Sequence, residues 1–363
     1  MEQKKNYGAI DIFKFVCALL VVVLHVATYA FADMASDSAP PTGKDNPFLF
    51  TLPAAYAILR IAVPFFFISS AFFLFKKIKE NPEDGKKLIK GYCIRLLKLY
   101  LFWFVINLPI MIDEHIICGK ADLWTNILKF LLRIVLYGGF SGAWYLLASL
   151  VAVPLIYWMS TKMKNWQMFT ITGVMYALAC LNGTYLHLFD NCFLGDVFKF
   201  LCDTLPFYHS FFNGAIFVLI GRTFAYKETL IPNKLNIALL AITPFFMYGE
   251  LVLTNYYGLN YATDCFFSLA IFSVVFFQFV LNLSITPKPI HKSLRQFSTF
   301  IYLFHFIFLY VLYRFASTFN WTIFYSNIPV IIAVYIASVG VSILMCWLTQ
   351  KLSKKIKILK YAI

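Results

Sequence analysis

The sequence predicts an all-α membrane protein: a ten-span helical bundle with both termini in the cytoplasm and a short outer interfacial helix near residues 123–136. Two observations lead to this prediction. Of the 363 residues, 61% are hydrophobic and only 13% are charged, which is too little charge to cover the surface of a soluble protein. Apolar runs of about twenty residues, the length that crosses a bilayer, recur along the chain. We therefore expect a single integral-membrane domain over residues 1–363.

Ten apolar runs define the predicted spans, with approximate bounds 10–32, 53–75, 92–112, 142–160, 167–186, 206–225, 235–256, 262–284, 297–317 and 326–350. A further apolar stretch, 123–136, lies in the outer loop 113–141. Lys129 and Arg133 fall on one face of this stretch, while Leu and Ile fill the other. This pattern is typical of a helix that lies in the membrane interface rather than across the bilayer.

The distribution of basic residues supports this span count and the orientation. With the N-terminus inside, the cytoplasmic segments are the N-terminal tail, 76–98, 161–166, 222–234, 285–296 and the C-terminal tail, which include the inner ends of two spans. These segments hold 23 of the 31 Lys and Arg residues, against five in outer segments and three in the remainder of the spans, as the positive-inside rule requires. The same distribution explains the net charge of +14, because the cations are spread over every cytoplasmic loop. This argues against a nucleic-acid partner and favours contact with anionic lipid headgroups. The eight cysteines show no metal-ligand spacing, so we expect no bound metal.

A histidine within the first span is the main candidate for a functional residue. An ionisable side chain at bilayer depth is costly, which makes His25 a predicted site residue. Lys14 precedes it on the same helical stripe, about 16 Å away along the axis. The pair indicates one site that crosses much of the bilayer. Alternatively, His25 is a core histidine bonded to a backbone carbonyl, or is lost with a signal peptide cleaved near Ala30.

Other polar side chains form two predicted layers. Near the depth of His25 we expect Arg60, Asn107, Asn213 and Glu250. Groups at this depth usually face the bundle interior, although a structural ion pair between Arg60 and Glu250 and interhelical asparagine bonds are alternatives.

Near the cytoplasmic side we expect a second layer of cations, namely Lys14, Arg95, Lys98 and Arg222. These either snorkel to the headgroups or bind a polyanionic ligand from the cytosol. Ser298, Tyr302 and His305 share one face of the ninth span. They form either a polar lining or a cluster whose hydrogen bonds are satisfied internally.

Five motifs resemble the acyltransferase 3 family of integral-membrane acyltransferases. Asp11-Ile-Phe-Lys14, ten further residues and His25 resemble its opening, where the family usually has Arg in place of Lys14. Ser70-Ala71-Phe72 is similar to its Ser-Gly-Phe motif, with Ala in place of Gly. The remaining similarities are the basic entry to the third span at Arg95 and Lys98, the Trp-aromatic-Leu motif at Ala143-Trp144-Tyr-Leu-Leu, and the late motif Phe300-Ile-Tyr302-Leu-Phe-His305.

This resemblance implies a ten-span protein in a cell membrane, and we expect a bacterial plasma membrane. The family takes an acyl group, commonly acetyl, from cytoplasmic acyl-CoA and passes it to a hydroxyl of an extracytoplasmic glycan or similar envelope acceptor. It implies acyl-CoA as a donor substrate and no permanently bound cofactor. The first-span histidine, here His25, is the family's catalytic residue, and its basic partner is Lys14. Because Lys lacks the bidentate fork of Arg, a phosphate contact at Lys14 is a point-charge contact.

The hypothesis assigns a role to each candidate. His25 acts as general base, with transient acylation as the alternative, and Glu250 orients its imidazole or binds acceptor hydroxyls. The acceptor or the oxyanion contacts Arg60, Asn107, Asn213 and Trp144, although Trp144 is alternatively an interfacial anchor. The acyl-CoA phosphates contact Lys14, Arg95, Lys98 and Arg222. The channel is lined by Ser70, Tyr302 and His305.

Two other functions are compatible with the sequence. Polar layers inside a bundle also serve a transporter of a small polar molecule such as an amino acid. Against this, the sequence has no inverted repeat and no matched pair of Gly/Pro-broken helices. The second alternative is a non-catalytic component of export or assembly. The acceptor, the acyl chain length and the oligomeric state are left open at this point.

Overall fold

The computed structural model describes residues 7–32, 57–118, 122–136, 138–140, 142–190, 192–260, 262–319 and 328–362. Within these residues the structure consists of helices and the turns between them. The twelve α-helices described are α1 (Gly8–Ala32), α2 (Ala62–Glu80), α3 (Gly85–Ile112), α4 (Leu123–Leu136), α5 (Ala143–Lys162), α6 (Asn165–Asn182), α7 (Phe193–Thr204), α8 (Phe211–Tyr226), α9 (Asn233–Tyr256), α10 (Phe267–Asn282), α11 (Pro289–Thr318) and α12 (Ile328–Leu352). The all-helical prediction is confirmed for the described residues.

Eight helical segments of the described chain are long and apolar enough to cross a membrane: Gly8–Val26, Ala57–Glu80, Pro82–Ile117, Ala143–Lys162, Phe193–Tyr226, Asn233–Tyr256, Pro289–Thr318 and Ile328–Leu352. The two other predicted spans, 167–186 and 262–284, overlap α6 and α10, which are not among the eight. Helix α10 is apolar but has only 16 residues, because the chain from 262 to 266 forms a loop before the helix begins. The count of ten and the cytoplasmic termini stay predictions.

Helix α8 forms the centre of the described bundle, packing against α2, α5 and α6. Eleven of its sixteen residues are buried. A Cβ atom added at Gly221 would lie 2.4 Å from the carbonyl oxygen of Ile68 and 2.8 Å from the Cβ of Ala71. Small residues let two helix backbones approach closely. Gly221 therefore allows α8 to pack closely against α2. The contact on α2 is at Ala71, the residue that replaces glycine in the Ser-Gly-Phe motif.

Helix α1 carries both of its candidate residues along the wall formed by α11. It packs mainly against α11, and also against α2 and α12. Near its start, the Asp11 carboxylate lies 3.4 Å from Nε of Arg295 on α11. Near its end, the imidazole rings of His25 and His305 have centroids 5.2 Å apart. The pairing of α1 with α11 thus brings the first and last sequence motifs together.

The peripheral helices expose large apolar side chains. Val105 on α3, Phe245 on α9 and Ile336 on α12 are 64%, 74% and 63% exposed. Apolar surfaces of this extent mark contact with a membrane or a partner, and a lipid environment accounts for them on helices of this length. The structure is therefore that of a multi-pass membrane protein.

The predicted interfacial stretch is a helix, α4, with the bounds Leu123–Leu136. Its 14 residues extend about 21 Å, less than the roughly 30 Å of a hydrocarbon core. Nη1 of Arg133 on α4 lies 3.2 Å from Nε2 of His115, which follows α3. The position of α4 in an outer interface stays a prediction.

Candidate active site

Two cavities lie along α1, and one side chain contributes to the lining of both. The first, which we call the histidine cavity, has a volume of about 640 Å³, and its lining includes His25, Arg60, Trp144, His209, Asn213 and Asp264. The second, the basic cavity, has a volume of about 520 Å³, and its lining includes Lys14, Ser70, Arg95, Lys98, Arg295 and Lys360. Among the described residues, only Tyr302 lines both. The predicted stripe from Lys14 to His25 thus runs from one cavity to the other.

The imidazole of His25 is held between two side chains of α11. Its ring centroid lies 5.2 Å from that of His305 and 5.7 Å from that of Phe306, with the Phe306 ring nearly perpendicular. Nδ1 of the buried His305 is 2.7 Å from the carbonyl oxygen of Ile301. Because a carbonyl only accepts, Nδ1 carries the proton and Nε2 carries a lone pair. His305 therefore has a defined tautomer and forms a polar wall behind His25.

A charged cluster lies in the same cavity as His25. The guanidinium of Arg60, whose side chain is 11% exposed, pairs with the carboxylate of Asp264. Arg60 also donates from Nη2 to Oγ1 of Thr263 at 2.9 Å. The second carboxylate oxygen of Asp264 lies 3.5 Å from Nε2 of His209. Glu114, His115 and Arg133 also line this cavity. Among the described residues, the cavity therefore combines two guanidinium groups, two carboxylates and three imidazoles, that of His25 included.

An aromatic surface and an amide complete the lining. The imidazole of His209 stacks on the indole of Trp144, with ring centroids 5.1 Å apart and planes at 24°. Nδ2 of Asn213 donates to the carbonyl of Tyr208 at 2.7 Å. Its Oδ1 is buried without a hydrogen-bond partner among the described residues. An unsatisfied buried oxygen is costly, and the Asn213 residue itself lines the histidine cavity.

The wall between the cavities is aromatic. The ring of Tyr302 contacts those of Phe66 and Tyr145 edge-on, with centroids 5.4 Å and 5.8 Å away. Its hydroxyl donates to the carbonyl of Gly142 at 3.3 Å. Gly142 has a φ of +82°, a left-handed conformation that favours glycine. A Cβ there would lie 3.3 Å from the Tyr302 ring. The left-handed backbone of Gly142 and its lack of a side chain therefore allow its carbonyl to accept the hydrogen bond from Tyr302.

Ser70 lies beside this wall, with its Oγ 3.3 Å from the hydroxyl of Tyr145. Both side chains line the basic cavity. The side chains between the cavities thus combine polar hydroxyl groups with apolar aromatic rings.

Five cations line the basic cavity: Lys14, Arg95, Lys98, Arg295 and Lys360. The ammonium of Lys14 lies 5.5 Å from the ring centroid of Phe73, a cation–π contact. Arg95 and Lys98 are exposed on α3. Several cations around one cavity suit a ligand with several phosphates. Three of the four predicted inner cations therefore share one cavity.

Glu250 is not brought to His25. Its carboxylate accepts hydrogen bonds from the backbone amides of Phe267 at 2.7 Å and Ser268 at 2.9 Å. These amides open helix α10, so Glu250 satisfies N–H groups that lack a partner inside the helix. The ion pair considered between Arg60 and Glu250 is also corrected, since the carboxylate that pairs with Arg60 belongs to Asp264.

His305, predicted to line the channel, lines neither cavity, although its ring centroid lies 5.2 Å from that of His25. Two further predicted site residues also line neither cavity. Asn107 is buried, and its Nδ2 donates to the carbonyl of Trp103, one turn earlier in α3, at 2.8 Å. Arg222 donates to Oδ1 of Asn165 at 3.2 Å. Depth along a helix identified both residues, but depth does not specify the direction in which a side chain points.

Sequence reasoning missed several ionisable residues of the cavities, namely Glu114, His115, Arg133, His209 and Asp264 in the first and Arg295 and Lys360 in the second. His209 and Asp264 fall within the predicted spans 206–225 and 262–284, close to their outer ends. The signal that identified His25, an ionisable residue within a span, was present for both.

Among the described residues, no group of three or more His, Cys, Asp or Glu side chains is arranged to hold a metal ion. All eight cysteines are free thiols. The described lining of the two cavities presents imidazole, guanidinium, ammonium, carboxylate, amide, thiol and hydroxyl groups.

Comparison with known families places this geometry in context. Residues 7–347 match a family model described as an acyltransferase domain. The chain belongs to this acyltransferase family. The match covers nearly the whole chain and confirms the resemblance carried by the five motifs. The chain is therefore a membrane acyltransferase-family protein whose family histidine, His25, lines a cavity.

Among curated proteins, this family member is similar to racemases of enterococci. It is 28% identical to an amino-acid racemase of Enterococcus faecalis over 225 residues, covering 61% of this chain and 28% of that protein. It is 24% identical to a serine/alanine racemase of Enterococcus gallinarum over 314 residues, covering 83% of this chain and 40% of that protein. The chain thus spans less than half the length of these relatives. No solved structure matches significantly.

Proposed function

We propose that this acyltransferase-family protein transfers an acyl group, acetyl above all, from cytoplasmic acyl-CoA to a hydroxyl of an extracytoplasmic glycan or cell-envelope acceptor. The observation that carries the proposal is the pair of cavities that share Tyr302 in their linings, with Lys14 in one and His25 in the other. In this proposal residues 1–363 act as one ten-span domain in a bacterial plasma membrane. Both termini are cytoplasmic, and the basic cavity opens to the cytosol.

The basic cavity binds the donor. The phosphates of acyl-CoA contact Arg95, Lys98 and Lys14, joined by Arg295, whose charge is shared with Asp11. The thioester arm extends along α1 toward Tyr302. Lys14 and His25 are about 16 Å apart along the helix axis, so an extended arm is needed to bring the acyl carbonyl to His25.

The histidine cavity performs the transfer. His25 removes the proton of the acceptor hydroxyl as its oxygen attacks the thioester carbonyl. The tetrahedral oxyanion is stabilised by the Arg60 guanidinium. The C–S bond then breaks, and the thiolate of CoA takes the proton from the His25 imidazolium. His305 and Phe306 keep the imidazole in place during both proton transfers.

The acceptor is held by the remaining groups of the same cavity. A sugar ring stacks on the exposed part of the Trp144–His209 pair, as sugars do on aromatic faces. Asn213 lies in the same lining and adds an amide beside this surface. An aromatic surface with an amide beside it supports a hydroxyl-rich acceptor.

Acyl transfer is tested directly in liposomes with purified protein and radiolabelled acetyl-CoA. We expect the release of CoA thiol, with acetyl transferred to enclosed envelope polysaccharide or to water. His25→Ala should lower the rate by at least about a hundredfold, the usual loss of a general base. The control is His187→Ala, because His187 pairs with Asp190 and lines neither cavity. An unchanged rate in His25→Ala would refute the proposal.

A second candidate function is the transport of a small amino acid. Two observations favour it. The relatives named above are racemases of amino acids, and the Arg60–Asp264 pair in the histidine cavity offers partners for the carboxylate and the ammonium of a zwitterion. Counterflow of labelled serine or alanine that requires no CoA and is lost in Arg60→Gln would favour transport. Acetyl-CoA turnover without counterflow would exclude it.

A further inference from the structure

We propose that the C-terminal turn, residues Lys357–Ala362, binds the nucleotide end of the acyl-CoA donor. The turn is a short 3₁₀ helix that follows α12. Lys360 and Tyr361 belong to it and line the basic cavity. The inference rests on the proposed donor but concerns a different part of the ligand from the acyl group.

The turn is anchored to the bundle. Nε1 of Trp103 on α3 donates to the carbonyl oxygen of Ala362 at 3.3 Å. Both residues are buried, and Trp103 packs edge-on against Phe300 of α11 with ring centroids 5.1 Å apart. An indole donor buried in an apolar surrounding needs its acceptor. The bond therefore holds the end of the turn against the mouth of the basic cavity.

The groups that the turn presents match a nucleotide. The Tyr361 side chain is 43% exposed, so part of its ring is open to a ligand. The Lys98 ammonium lies 5.0 Å from the Tyr361 ring centroid, a cation–π contact. Lys360 and Arg95 add further positive charge to the same cavity. An aromatic ring surrounded by cations binds a base by stacking and its phosphates by charge.

The aromatic ring distinguishes this ligand from a lipid headgroup. A headgroup phosphate would be bound by the cations alone, whereas Tyr361 adds a flat surface that suits the adenine of CoA. The turn also lies beyond residue 347, where the match to the acyltransferase family ends. The motifs that define the family therefore do not account for it.

Binding is measured on the purified full-length protein by calorimetry with two probes, coenzyme A and pantetheine, which lacks the nucleotide. We expect Tyr361→Ala and Lys360→Ala each to weaken the binding of coenzyme A about tenfold, the usual effect of losing one stacking or one charged contact. The affinity for pantetheine should not change. Tyr361→Phe keeps the ring and should bind coenzyme A as the unchanged protein does.

Lys357→Ala is the matched control for charge, since Lys357 lies in the same turn but is exposed and does not line the cavity. Equal affinity for coenzyme A in all variants would overturn the inference. A loss of affinity for coenzyme A that Lys357→Ala shares would also overturn it, because it would indicate general attraction by the positive charges. An equal loss of affinity for pantetheine would overturn it as well, because it would indicate a structural role of the turn. Because binding is measured without turnover, a nucleotide site without acyl transfer would support this inference and refute the proposed function.

Discussion

Tyr302 lines both the basic cavity and the histidine cavity. Its ring forms an aromatic cluster with those of Phe66 and Tyr145, and its hydroxyl donates to the carbonyl of Gly142. In the proposed function, the thioester arm passes this side chain on its way to His25. We therefore propose that Tyr302 both admits the acyl group and keeps water from the donor.

Substitutions at Tyr302 separate these two effects. Tyr302→Phe keeps the ring and loses one hydrogen bond, worth about 1 kcal/mol, so transfer should fall only a few-fold. Tyr302→Ala removes the wall, and we expect hydrolysis of acetyl-CoA to rise at the expense of transfer to enclosed polysaccharide. The ratio of acetate to acetylated product measures the effect. An unchanged ratio in Tyr302→Ala would show that Tyr302 does not control passage.

At the scale of helices, the contact of α2 with α8 depends on one glycine. A Cβ at Gly221 would lie 2.4 Å from a backbone oxygen of α2, which no side-chain movement relieves. We expect Gly221→Ala to destabilise the protein by about 1–3 kcal/mol, the usual cost of overpacking. Thermal unfolding in detergent measures this.

The matched control for Gly221→Ala is Gly249→Ala on α9, where nothing lies within 4 Å of an added Cβ. In an exposed helix, Ala in place of Gly stabilises by up to about 1 kcal/mol. The two variants should therefore shift the unfolding temperature in opposite directions. Equal shifts would contradict the close packing of α8 on α2.

At the same scale, the carboxylate of Glu250 caps the start of α10. Glu250→Gln keeps one carbonyl oxygen for the amides of Phe267 and Ser268 but loses the charge that favours a helix N-terminus. We expect a loss of stability of about 0.5–2 kcal/mol and an unchanged rate per folded molecule. A fall in rate as large as that of His25→Ala, at equal stability, would assign Glu250 to catalysis instead.

For the whole molecule, the sequence predicted the helical architecture well because apolar length and basic-residue distribution report on bilayer crossing. Helix α4 has the bounds of the predicted stretch 123–136. The prediction for α10 was too long, since its N-terminal part is the loop that places Asp264 beside Arg60. Periodicity does not show where a loop enters the bundle, because such a loop is built by contacts distant in sequence.

The site was predicted less completely, for a related reason. His25 was found because its depth alone is unusual, and Trp144 and Tyr302 because their motifs are recognisable. Glu250 lies at a suitable depth, but the rotation of α9 directs its carboxylate to α10. Rotation about a helix axis is determined by packing with neighbouring helices, which a single sequence does not display.

The central claim is that one molecule moves an acyl group from the basic cavity to the histidine cavity. It is tested in sealed proteoliposomes with radiolabelled acetyl-CoA, which does not cross the bilayer, outside and envelope polysaccharide enclosed. We predict that label accumulates on the enclosed polysaccharide with the unchanged protein and not with His25→Ala. Label that stays entirely outside while CoA thiol is released, or accumulation that His25→Ala leaves intact, would contradict the account.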